Sequence, residues 1–302
     1  YQNLLEHNML MIADKNTNEK FENLIELVNN SEISSIKTVV SGLVRIINDP
    51  DSNVKDLKEI IQIDPPLTAK LLKLVNSAFY SLQNRISEID QAVILIGFNA
   101  LKELALSQKV YEIFAGNESL EGYSRRSLWK HSVAVAIFAK MIYRREFRER
   151  GENAYVAGLL HDIGIIVEDQ FFHDDFKHIL IKAKNEKINL SEVEYEVFNF
   201  NHSEIGMTIA DDWNLPEELV IGIGYHHHPD KVFPEYSKLA STLFLANCFC
   251  QESDMGFSHM PCKDNTCFQK CLKDLDLQPI ALDLIVEDVK QEISKMESRG
   301  LL

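Results

Sequence analysis

Glycine and proline are scarce, 12 and 8 in 302 residues. So few breakers exclude a collagen-like or low-complexity chain and favour long helices over many short strands. No run reaches the ~18 apolar residues of a membrane span. The longest stretches are Ala92 to Phe98 and Val133 to Ile142, and the second contains Lys140. No secretory signal is visible. The five cysteines, an odd number, fit free thiols rather than a disulfide framework, so a reducing, cytoplasmic location is expected. Positive charge is also short: 31 Lys+Arg against 46 Asp+Glu leave a net −15. A chain this acidic is repelled by phosphate backbones, so neither nucleic acid nor an anionic membrane is an expected partner. The densest basic stretch, Lys140, Arg144, Arg145, Arg148 and Arg150, is interrupted by Glu146 and Glu149 and reads as a solvated helix end.

What is present is apolar material for a sizeable core, 45% of residues, in a length that suits two domains or lobes at ~150 residues each. There is no internal repeat. The boundaries expected are an N-terminal arm or short helix at 1–34, a first helical lobe at 35–120, a second lobe at 121–250 and a helical C-terminal extension at 251–302. Val54, Leu57, Ile60 and Ile61 form an apolar stripe after the turn at Asp49-Pro50. Asp64 before Pro65 is a helix start. Ser87 with Asp90 resembles a capping box, and Asn99 can cap Leu101 to Phe114. Ala115 to Ser119 is the best internal boundary. Further helices are expected at about Ser124 to Arg144, Asn153 to Ile163 (ended by Gly164) and Asp174 to Lys184. Ser191 with Glu194 has capping-box spacing for the helix carrying His202. Helices from Pro216, at Tyr236 to Cys250 and at Pro279 to Glu297 follow. Strand signals are nearly absent, and the fold expected is all-α in two lobes.

Histidine is concentrated in one region: eight of ten lie between His131 and His228. His7, His173, His178 and His259 read as ordinary core or surface residues. The pair His161-Asp162 is different. Gly158 before it permits close packing, and a buried His and Asp on an apolar helix each need partners. Imidazole with carboxylate is a ligand set for zinc, iron, manganese or nickel, and long separations imply ligands converging from different helices. Two rival sets are weaker. Cys248, Cys250, Cys262, Cys267 and Cys271, with His259 nearby, match no pair of Cys-x2-Cys knuckles and read as free thiols. Asn76, Phe79 and Tyr80 are a ligand pocket or, more simply, lobe packing.

Leu160-His161-Asp162-Ile163-Gly164, with His131 upstream and His202, His226 and His227 downstream, resembles the HD superfamily of metal-dependent phosphohydrolases. Asp64-Pro65-Pro66-Leu67-Thr68-Ala69-Lys70-Leu71-Leu72, Val75 to Tyr80, Ile89 to Gly97, Asn201 to Gly206 and Trp213-Asn214-Leu215-Pro216 narrow the resemblance to the HDOD domain over about residues 35 to 250. The resemblance implies a two-lobed helical architecture whose second lobe is an HD-type bundle. It implies a first metal site at His131, His161 and Asp162, and a second at His202, His226 and His227 bridged by Asp162. Two metals ~3.5–4 Å apart activate a water for in-line attack on a phosphodiester.

Three departures bear on function. The late Asp of the family aligns with Asn247, whose amide can ligate but carries no charge, so weaker binding or a single metal is expected. The Lys that often follows the motif is Ile165, and no Gly-Tyr-Pro motif is present. The first expectation is therefore an HDOD-type signal-transduction protein that binds one or two divalent ions (Fe, Mn, Zn or Ni) with little or no turnover. Its partner would be a signalling protein or a small phosphorylated ligand. The alternative is a metal-dependent phosphohydrolase acting on a nucleotide or phosphodiester, with Asp162 central and Lys130 or Glu204 handling protons. The third is a metal-free helical interaction module.

Overall fold

Side-chain caps open five of the helices in the computed structural model, which describes residues 15–77, 85–116, 119–258, 265–298 and 302. The chain runs through α1 (Lys15–Asn29), a single turn α2 (Glu32–Ser35), α3 (Lys37–Asn48), α4 (Val54–Gln62), α5 (Pro65–Val75), α6 (Ile89–Ile96) and α7 (Phe98–Phe114). Asp64 caps α5 by accepting from the Leu67 N–H at 3.0 Å, with proline opening the helix. A minimal hairpin, β1 (Ser119–Leu120) and β2 (Tyr123–Ser124), then leads to α8 (Arg125–Ile142). The rest is α9 (Glu152–Leu160), α10 (Ile163–Phe171), α11 (His173–Glu186), α12 (Leu190–Phe198), α13 (His202–Asp212), α14 (Glu217–Gly224), α15 (Ser237–Glu252), α16 (Asn265–Asp274) and α17 (Pro279–Ser298). The fold is all-α and two-lobed.

In the first lobe α3 packs on α4 and α7, and α5 and α6 cover α7. In the second, α8 lies against α9, α15 and α17, while α13 packs on α10 and α14. The lobes meet where α9 touches α3 and α7 and where α7 touches α8. The N-terminal helix docks on the second lobe: α1 contacts α10 and α13, and Phe21 meets Phe200 edge-on at 5.1 Å. The C-terminal helix is tied to α8 and the turn after it by Lys130–Glu297 and Arg145–Asp288 ion pairs.

Several sequence expectations are corrected. The helix expected from Asn153 to Ile163 stops at Leu160, and Gly164 is the second residue of α10 rather than a terminator. Its role is close approach: a Cβ there would lie 2.0 Å from the His202 carbonyl oxygen. Gly158 does pack tightly, since its Cβ would meet Ala136 Cα at 2.5 Å. Ser191 and Glu194 do not cap the helix of His202, because they lie inside the separate helix α12. Asn201 caps α13 instead, in a reciprocal box with Glu204. Asn99 does not cap α7, which begins one residue earlier after Gly97 at φ 89°, and Glu88 rather than Ser87 precedes α6. Asn76 is committed to the backbone of Leu72 and Ile86, which leaves it to packing. Phe79, Tyr80, His7, His259 and Cys262 lie outside the described residues.

Gly164→Ala is expected to cost about 1–3 kcal/mol by overpacking, read as a lowered midpoint of urea unfolding. An unchanged midpoint would mean that α10 and the start of α13 are not in contact.

Candidate metal centre

His161 and Asp162 occupy the break between α9 and α10, where Asp162 leaves helical geometry at φ −101°, ψ 16°. The break lets two adjacent side chains turn to a common point. Four other helical segments aim at it: α8 brings His131, the start of α13 brings His202, the turn after α14 brings His226 and His227, and α15 brings Asn247. The ligand atoms of His131, His161 and Asp162 lie within 4.8 Å of one another, as do those of Asp162, His202, His226 and His227. Asp162 belongs to both groups. The six side chains His131, His161, Asp162, His202, His226 and Asn247 are 0–4% exposed, while His227 is half-buried.

The hydrogen-bond partners behind the rings fix their tautomers. His161 Nδ1 is 2.8 Å from the Gly158 carbonyl and His226 Nδ1 is 2.6 Å from that of Ile223. A carbonyl only accepts, so each Nδ1 carries the proton and each Nε2 presents a lone pair. His161 Nε2 then faces Asp162 Oδ2 at 3.1 Å and His226 Nε2 faces Oδ1 at 3.6 Å. Neither nitrogen and neither carboxylate oxygen has a hydrogen-bond partner. Lone pairs this close in a dry interior repel unless a proton or a metal ion stands between them. His202 sits similarly, with Nδ1 on Glu194 at 2.7 and 2.9 Å and Nε2 2.9 Å from His227 Nε2 and 3.6 Å from Asp162 Oδ1. His131 Nε2 is 2.9 Å from Asn247 Oδ1 and 3.8 Å from Asp162 Oδ2.

The electrostatics agree. Burial alone would push the Asp162 carboxyl up, but its interactions with the His161, His226 and His202 rings outweigh this and hold the group well below the usual range. Burial pushes His226 down to about 4 against the pull of Asp162. Burial also lowers His202, but the Glu194 carboxylate more than reverses this. A nitrogen–oxygen donor set without thiolate, with orphaned acceptors converging on one carboxylate, fits a divalent transition metal.

Two expected residues are placed elsewhere. Lys130, one step from His131, turns to Glu297 at 2.8 Å. Glu204 caps α13 and accepts from the Tyr195 hydroxyl. Neither joins the ligand groups, because one residue along a helix rotates a side chain by ~100°. Cys248, Cys250, Cys267 and Cys271 are buried and form no disulfide, and among the described residues no cysteine joins a metal-ligating group. Three residues were missed by sequence reasoning: Glu194 behind His202, Glu168 on α10, and Gln251, whose amide donates to Asn247 Oδ1 at 2.9 Å. The only signal for Glu168 was an acid closing the apolar run Ile163 to Val167.

The HDOD domain model matches residues 33–229, and the chain belongs to the HDOD domain family. The match spans every histidine of the cluster and ends before Asn247. An uncharacterised protein of Treponema pallidum is 28% identical over 232 residues, 72% of this chain and 42% of its own length. YuxH of Bacillus subtilis, also uncharacterised, is 26% identical over 160 residues, 50% and 38% of the two chains. The chain thus spans about two fifths of the length of these relatives. Among solved structures, an HDOD domain protein of unknown function from Geobacter sulfurreducens superposes with TM-score 0.71 at 28% identity, covering 86% and 89% of the two chains. A candidate signal transduction protein of Marinobacter aquaeolei gives 0.73 at 21% identity, covering 87% and 58%.

Acid is expected to unfold the metal-free chain. Between the ordinary histidine value of 6.5 and about 4, the unfolded chain binds a proton at His226 that the folded chain lacks. Stability is therefore held above pH 6.5 and falls by up to about 3 kcal/mol as pH drops towards 4. The depressed Asp162 carboxyl acts in the same sense at lower pH. His202, raised, contributes oppositely and fades as pH climbs through its folded value. Urea unfolding across this range checks the sign, and His226→Asn should flatten the slope.

Proposed function

We propose that this chain is a regulatory HDOD module whose second lobe holds one or two divalent metal ions with little or no hydrolytic turnover. The observation that carries the reading is a complete ligand set sealed from solvent: six of the seven side chains are at most 4% exposed. His131, His161 and Asp162 would hold one ion, and His202, His226 and His227 with Asp162 a second, with Asn247 beside the first. Such an ion supplies Lewis acidity and charge when bound. The protein's own part is to orient the rings through Gly158, Ile223 and Glu194 and to keep water out.

The same geometry counts against efficient phosphodiester chemistry. Of the ligand side chains only His227 is half-buried rather than buried, and the position that offers a lysine elsewhere is buried Ile165. The partner consistent with this is a signalling protein or a small phosphorylated ligand, within a longer polypeptide like the relatives. The acidic surface and the four cysteines that form no disulfide fit the cytoplasm. The phosphohydrolase reading is favoured by one observation, the sharing of Asp162 between two ligand groups.

Elemental analysis of purified protein should find stoichiometric transition metal, reduced at least tenfold in His161→Ala. A metal-free wild type would leave only the interaction-module reading. Cyclic and linear nucleotides with added Mn(II) should show no turnover, and hydrolysis abolished by Asp162→Ala would establish the enzyme instead.

A further inference from the structure

Two fully buried carboxyl groups, Glu194 and Glu168, stand behind the ligands and have no part in the set just described. Placing two acids in an apolar bundle is costly unless they are used. Glu194, on α12, accepts the His202 backbone N–H at 2.9 Å and faces its Nδ1 at 2.7 and 2.9 Å. Of the three ligand rings whose Nδ1 partner is identified, His161 and His226 rest on neutral carbonyls and His202 rests on a carboxylate. The lobe otherwise offers the metals a single anion, since Asn247 contributes an amide. Two divalent ions balanced by Asp162 alone retain one more positive charge than two carboxylates would leave.

We propose that Glu194 is the second anionic group of the metal centre, a positioning residue that acts through the His202 ring to supply the negative charge the Asn247 amide does not. This rests on the reading that the cluster holds metal. A carboxylate on Nδ1 fixes the ring with Nε2 towards Asp162 and His227 and makes that nitrogen a stronger donor. Glu168 completes the arrangement. Its two oxygens meet no donor, and the group beside it is Glu194. Burial first, and Glu194 second, push Glu168 well above the usual carboxylate range.

The test uses the metal-stripped chain titrated with Mn(II), free ion being counted by electron paramagnetic resonance. Glu194→Gln keeps the shape and removes the charge, and should weaken binding ~10–100-fold. Adding Asn247→Asp to that variant should recover at least about tenfold, because the charge returns on the opposite side of the site. Glu194→Asp keeps the charge and should lose less than Glu194→Gln. Unchanged affinity in Glu194→Gln overturns the proposal while leaving the metal reading intact. A loss that Asn247→Asp does not recover also overturns it, since Glu194 would then only orient the ring. A wild type that takes up no Mn(II) overturns the metal reading and this inference with it. Should Glu194→Gln fail to fold, Glu194→Ala, which also removes the charge, takes its place: the same recovery by Asn247→Asp supports the proposal, and its absence, or no loss at all, overturns it.

Discussion

Imidazole lone pairs aimed at one carboxylate, in a space that water does not reach, constrain the whole second lobe. Nδ1 of His161 and of His226 is spent on a backbone carbonyl, so Nε2 of each has nowhere to point but Asp162. The orphaned atoms would each forgo about 1–3 kcal/mol of hydrogen bonding if nothing filled the centre. A bundle that carried such a debt without a cation would be better served by leucine. The arrangement is therefore best understood as built around positive charge, and the depressed Asp162 carboxyl reports the same preference.

That constraint reaches the backbone. Converging ligands from α8, α9, α13 and the turn after α14 requires these segments to approach more closely than side chains allow. Glycine supplies the approach at two contacts, Gly158 against Ala136 and Gly164 against the carbonyl of His202 itself. The second contact carries the start of α13, and hence the His202 ring, onto the break that holds His161 and Asp162. A methyl group at position 164 would displace a ligand without touching a ligand atom.

The fold class and the ligand types were legible because they rest on local or compositional rules. Scarce breakers gave helices, Asp64 before Pro65 gave a helix start, and the clustering of histidine gave the site. What was illegible depended on three-dimensional neighbours. Gly164 looks like a terminator in one dimension, yet it is a contact in three. Ser191 and Glu194 have the spacing of a cap but sit inside a helix, because Asn201 competes for the role nearer to His202. Lys130 stands next to a ligand in sequence and faces the C-terminal helix in space. Glu194 and Glu168 look like surface acids until burial places them, and no spacing rule distinguishes an acid behind a ligand from one in solvent.

The first lobe is more than a passenger in this geometry. A cavity of about 300 Å³ lies between α7, α8 and the C-terminal helix, bordered by Trp129, Val133, Ile137 and Met141 and by the Glu103–Lys140 ion pair. Trp129 and Val133 flank His131 by two residues on each side, which on a helix directs them to roughly the opposite face. One helix thus has the histidine cluster on one side and the space between the lobes on the other. Packed helices move as units rather than deforming along their length. Trp129, His131 and Val133 share that helix, so a shift of α8 would carry the ring and the wall of the cavity together.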